Sequence, residues 1–152
     1  MKDLTEIQEH IIHKVKSYKN GNNSSWYRKS LRRDIQYWSD EREHIFSANA
    51  LEFLKNKNVN ITTLNAYNVR KKAGGEKSRP NVTLEHTTPI NELIKTLLIT
   101  DEKDMMEVMN QYSPCCFVTQ EENDKLNKSG FRNKRPDGWK KCYEICGITL
   151  AE

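Results

Sequence analysis

Glu85 and His86 are the most acid–base-capable neighbours in the chain. They close a β-branched run, "NVTLEH", three residues ahead of Pro89. An imidazole titrates near neutrality, so His86 is suited to act as a general base. The carboxylate beside it offers oxygen to a hard cation. Side chains alternate along a strand, so the two can serve one site only where the strand breaks. The proline predicts such a break. The other histidines, His10, His13 and His44, fall on predicted helices, and none pairs with a serine or cysteine in a nucleophile pattern.

A second chemistry is written in the cations. Residues 125–141, "KLNKSGFRNKRPDGWKK", hold seven Lys or Arg against one acid, Asp137. Within that stretch Lys128, Arg132, Lys134 and Arg135 flank Gly130 in a polar loop with almost no acid close in sequence to pair with. Exposed cations of this kind add little to folding, so their concentration predicts contact with phosphates. Arg70, Lys71 and Lys72 open a second cluster, "RKKAGGEKSR", and Arg28–Arg33, "RKSLRR", form a third. Nucleic acid is the partner such patches suit, although charge alone suits an ordinary solvated surface equally. Phe131 and Trp139 interleave with these cations and could stack on bases, but "DGW" is equally a turn that returns Trp139 to a core.

The four cysteines, Cys115, Cys116, Cys142 and Cys146, lack the Cys-x-x-Cys spacing of a zinc knuckle. Adjacent cysteines on a strand face opposite ways, so they are expected to be buried small apolar residues, with no zinc bound.

These residues must be positioned by elements that the periodicity predicts. Leu4, Ile7, Ile11, Val15 and Tyr18 mark one helix face, and Tyr27, Leu31, Ile35 and Trp38 mark a second. Ser39 and Asp40 then offer a cap for a third helix carrying Ile45, Ala48, Leu51 and Leu54. Residues 58–69 have no helical period and read as loop or short strand, followed by a turn over 73–80. "NVTLEH" is a strand, and "PINELIKTLLI" is a helix with Thr88 as N-cap and Pro89 in its first turn. A helix with Met105, Val108, Met109 and Tyr112 inward follows. "CCFVT" is a buried strand, Thr119 and Glu122 form a capping-box pattern, and Gly130 stops that helix. The chain closes on a short helix or strand at "WKKCYEICGITL". The expected fold is α+β, one mostly helical domain with a short strand pair. Its parts are a helical stretch 1–56, a loop-rich connector 57–81 and a catalytic or binding part 82–150.

Composition narrows the classes. The chain has 152 residues, 36% hydrophobic and 30% charged, which suits one polar-surfaced domain. No apolar run approaches the roughly 18 residues of a membrane span. The N-terminal stretch mixes acids into its apolar positions, unlike a signal peptide, so a cytoplasmic protein with no membrane partner is expected.

Glu85-His86-x-x-Pro89, followed by "FVTQEEN" with Asn123 as its last residue, resembles the HNH, or ββα-metal, endonucleases. The resemblance touches about a dozen residues in two pieces and leaves residues 1–70 aside. It implies a ββα-metal-like centre in which Glu85 and Asn123 hold Mg2+ or Mn2+ and His86 is the general base for phosphodiester hydrolysis of DNA or RNA. The chain departs from that family in three ways. The two pieces stand 37 residues apart, from His86 to Asn123, where the family has a loop. The middle asparagine has only Asn91 and Asn110 as candidates. The flanking zinc knuckles are missing. The alternative reading is a non-catalytic basic module that binds nucleic acid, or a phage-type protein that binds a host defence protein.

Overall fold

A computed structural model of the chain describes residues 3–152. In chain order the elements are α1 (Thr5–Lys19), α2 (Ser25–Glu41), β1 (Ile45–Phe46), α3 (Ala48–Asn56), α4 (Ala66–Ala73), β2 (Gly75–Glu76), β3 (Arg79–Pro80), β4 (Val82–His86), α5 (Ile90–Ile99), α6 (Glu102–Asn110), β5 (Cys115–Thr119), α7 (Gln120–Lys128) and α8 (Trp139–Ile145). The architecture is α+β and mostly helical. Among the described residues, no helix is long and apolar enough to cross a membrane. The chain divides into two compact units, residues 1–42 with 88–113 and residues 43–87 with 114–152, which cuts across the parts 1–56, 57–81 and 82–150.

The first unit packs α1, α2, α5 and α6 around Ile11, Val15, Leu31, Ile35, Trp38, Ile94, Leu97, Met105 and Met109. These are the positions that the 3.6-residue period selects, and all are buried. Two sequence-based helix caps are corrected. Ser39 and Asp40 do not start a helix: α2 runs through them to Glu41, because Trp38 and Ser39 both lie in the interior. Thr88 does not cap α5 either. Its hydroxyl bonds Ser113 Oγ at 2.5 Å, and Pro89 becomes the N-cap.

The second unit is built on a three-stranded sheet in the order β1-β5-β4. β1 runs parallel to β5, where a helix start was expected, pairing Ile45 with Cys116 and Phe46 with Phe117. β4 runs antiparallel to β5, with Leu84 opposite Phe117, Glu85 opposite Cys116 and His86 opposite Cys115. Alternation then sorts the side chains. Val82, Leu84, Cys115 and Phe117 join Ala50 and Leu54 of α3 and Val69 of α4 in one core. Cys116 and Val118 join Leu126 of α7 and Tyr143 of α8 in another. The two adjacent cysteines thus part to opposite faces of the sheet.

The connector read as loop holds two elements. Asn65 caps α4 by accepting from Asn68 N at 2.9 Å, so the β-branched residues of 58–69 give way to a helix that buries Ala66, Val69 and Ala73. The basic turn 73–80 is a β2–β3 hairpin. Gly75 sits there at φ +97°, and a Cβ on it would meet Asn81 N at 2.6 Å, so only glycine fits.

Candidate functional site

The second unit carries a cavity of about 420 Å³. Leu84, Glu85 and His86 of β4 line it, with Asn123, Leu126 and Asn127 of α7 and Arg132 and Arg135 of the following loop. Three consecutive residues of a strand can border one cavity only along the strand's edge, since their side chains alternate. β4 is indeed the edge strand. The cavity therefore runs beside the outer edge of β4, roofed by α7 and the basic loop.

Each wall has a local cause. α7 starts at a full capping box: Thr119 Oγ1 accepts from Glu122 N at 3.2 Å, and Glu122 Oε1 accepts from Thr119 N at 2.9 Å. The same carboxylate accepts from Ser47 Oγ at 2.6 Å, and Ser47 in turn caps α3 by accepting from Ala50 N at 3.0 Å. With the helix register fixed this way, Asn123 and Asn127, four apart, fall on one face. Asn123 is half-buried and Asn127 exposed.

Arg135 is the keystone of the loop, and here the structure overturns the expectation of an exposed, unpaired cation. Its side chain is 7% exposed, and the acid it meets is Glu85, itself 10% exposed and distant in sequence. Arg135 Nη2 donates to Glu85 Oε1 and to the His86 carbonyl at 3.2 Å. Its Nε donates to the Thr87 carbonyl at 3.0 Å. Tyr143 OH donates to the second oxygen, Oε2. Burial pushes the Glu85 carboxyl above the usual carboxylate range, while the Arg135 guanidinium and the Tyr143 hydroxyl pull it back. Burial likewise raises the Tyr143 hydroxyl, with the Glu85 charge next in effect.

The Glu85–His86 pair is a second correction. β4 does not break between Glu85 and His86: both residues stay in the ladder, paired with Cys116 and Cys115, and the strand ends only after His86. Glu85 therefore projects to the face of Tyr143, and His86 to the opposite face. Glu85, His86 and Asn123 border the same cavity, but the imidazole and the carboxylate do not point into one focus.

The donor set does not fit a hard dication as arranged. Both Glu85 oxygens already accept hydrogen bonds, one from a guanidinium whose charge repels a second cation. Asn123 alone adds one neutral oxygen, whereas Mg2+ wants a carboxylate.

The remaining cations divide. Arg132, Lys128 and Lys134 are exposed. Lys71 and Lys72 are exposed at the end of α4, while Arg70 is half-buried and donates to the Ala66 carbonyl at 3.4 Å. Phe131 and Trp139 both pack against the Leu126–Tyr143 core. Both rings are half-buried, and Trp139 meets Tyr143 edge-on at 5.2 Å.

The sequence reading missed Asn127 and Tyr143. Asn127 carried a signal, the four-residue spacing from Asn123. Tyr143 carried none, since its partner lies on another element. The chain matches no family model, no curated protein and no solved structure.

Proposed function

We propose that the second unit is a nucleic-acid-binding module that seats a backbone phosphate in the cavity beside β4. One observation carries this reading: the acid of the cavity is already neutralised. Glu85 contributes one negative charge and Arg132 and Arg135 two positive ones, leaving a net charge of +1 among the lining residues. Arg132 is the exposed cation there. The amides of Asn123 and Asn127 add neutral donors, and Lys128 and Lys134 extend the positive field around the mouth. Such contacts position a phosphate backbone without reading bases. Arg132→Ala should weaken binding of labelled DNA or RNA and reduce the slope of log affinity against log salt by about 0.7–0.9, the value of one phosphate contact. The reading fails if that variant binds like the wild type at every salt concentration.

A second reading, metal-dependent hydrolysis of the phosphodiester with His86 as general base, has one observation in its favour. β4, β5 and α7 follow the strand–strand–helix order that the HNH resemblance implies, and Glu85, His86 and Asn123 border one cavity. It requires Glu85 to leave Arg135. Incubating plasmid and RNA with the protein in Mg2+ or Mn2+ tests it: cleavage that disappears in His86→Ala would put this reading first, and no cleavage in either metal would leave the binding reading alone.

A further inference from the structure

The basic stretch 28–33 lies in the first unit, on α2, and the cavity does not account for it. Trp26 is 75% exposed and Tyr37 52% exposed. Lys29 and Arg33 are exposed between them. Positions 26, 29, 33 and 37 fall on one side of an α-helix, so the four side chains form a single stripe about 16 Å long. Its order is aromatic, cation, cation, aromatic.

Neither cation of the stripe has a hydrogen bond or an ion pair among the described residues, in contrast to the neighbouring charges. Arg32 donates to Asn91 Oδ1 at 2.9 Å, and Arg28 lies over the Tyr18 ring at 5.8 Å. Asp34, the closest acid in sequence, is taken by Lys14 at 2.5 Å and His10 at 3.2 Å. Lys29 and Arg33 stand four apart, a like-charge spacing that disfavours the helix. A polyanion laid along the stripe reverses that repulsion. Beside Arg33 and Tyr37 a groove of about 510 Å³ is lined by Ile7 and His10 and by two acids, Glu6 and Asp34, so a polyanion is met along the Lys29–Arg33 stripe rather than in the groove.

We infer that this face of α2 binds single-stranded nucleic acid, with Trp26 and Tyr37 stacking on bases and Lys29 and Arg33 meeting the phosphates between them. A duplex hides its base faces, so the aromatic ends of the stripe select for single strands. The inference does not rest on the cavity of the second unit.

The test is fluorescence anisotropy of labelled oligothymidylate titrated with the whole chain across a salt series. Trp26→Ala with Tyr37→Ala should weaken binding about thirtyfold, the sum of two modest stacking contacts. Lys29→Ala with Arg33→Ala should reduce the salt slope by about 1.4, two single-strand phosphate contacts. Lys29 and Arg33 are exposed, so thermal melts of that double variant should match the wild type. Both effects should persist in an Arg132→Ala background, which separates this proposal from the cavity reading. Aromatic variants that bind within about twofold of the wild type overturn it. So does preference for duplex, or partition of the wild type onto phosphatidylserine vesicles without oligonucleotide binding, which would make the stripe a membrane surface.

Discussion

Arg135 and Glu85 show how a buried charge pair ties a loop to a sheet. Removing one partner of such a pair leaves the other charge stranded, which costs about 3–5 kcal/mol. Arg135→Ala should therefore lower unfolding free energy by about that amount in urea titrations, while Arg132→Ala, exposed, should stay within about 0.5 kcal/mol of the wild type. The loss should depend on pH with a definite sign. Glu85 in the folded chain titrates above its unfolded value, so the fold binds the proton more tightly and stability falls as pH rises through the interval between the two. Without Arg135 that interval widens upward. The variant should thus recover stability when titrated at pH 5 rather than pH 8, and an equal deficit at both would contradict the role given to Glu85. The cysteines allow a second check at this scale. All four are buried thiols, and burial pushes Cys116 up to about 12. A buried thiol out of reach does not attack a disulfide reagent. Ellman's reagent at pH 8 should count no fast thiol in the native chain and four after denaturation; rapid native reaction would show one of them to be accessible.

Among the elements, α7 matters most to the cavity, and its position hangs on Glu122. That side chain is 3% exposed and caps α7 while bonding Ser47 at the start of α3. Glu122→Ala removes the reciprocal half of the capping box, worth about 0.5–1 kcal/mol, and a buried hydrogen bond to a charged group worth about 1.5–3 kcal/mol, while Thr119 still caps α7. A loss of about 2–4 kcal/mol is expected in thermal or chemical denaturation, with Glu122→Gln less affected because it keeps the acceptor oxygen. Nucleic-acid binding should weaken in Glu122→Ala too, since Asn123 and Asn127 follow the helix register. Unchanged melting would mean that the cap and the Ser47 bond are dispensable.

At the scale of the molecule, the second unit is interrupted in sequence by residues 88–113, which belong to the first. The ends of the interruption are close: His86 pairs with Cys115, and Thr87 Oγ1 donates to the Pro114 carbonyl at 2.6 Å. A two-residue Asn-Gly turn is the favoured closure of such antiparallel strands. A chain of residues 43–87 and 114–152 joined through Asn-Gly should fold cooperatively and keep Arg132-dependent binding. A non-cooperative melt would show that the second unit needs the first for its stability.

Periodicity alone determined the helices of the first unit, because Ile11 and Val15, Leu31 and Ile35, Ile94 and Leu97, and Met105 and Met109 each repeat at the spacing of one buried face. It also determined the strands 82–86 and 115–119 and the capping box at Thr119, whose signals are local. The grouping of Glu85, His86 and Asn123 around one cavity was legible as a resemblance of two short motifs. Their orientation was not, because only pairing across the sheet decides on which face each side chain lies. The helix at Ala66–Ala73 was hidden because the asparagine-rich, β-branched run 58–65 leads into it, although Ala66, Arg70, Lys71, Lys72 and Ala73 are good helix formers and Val69 is buried against β4. The charge of the basic loop was likewise misread from its neighbours in sequence. Arg135 finds its acid in Glu85, fifty positions upstream, and only the tertiary fold brings an edge strand and a distant loop within reach of one hydrogen bond.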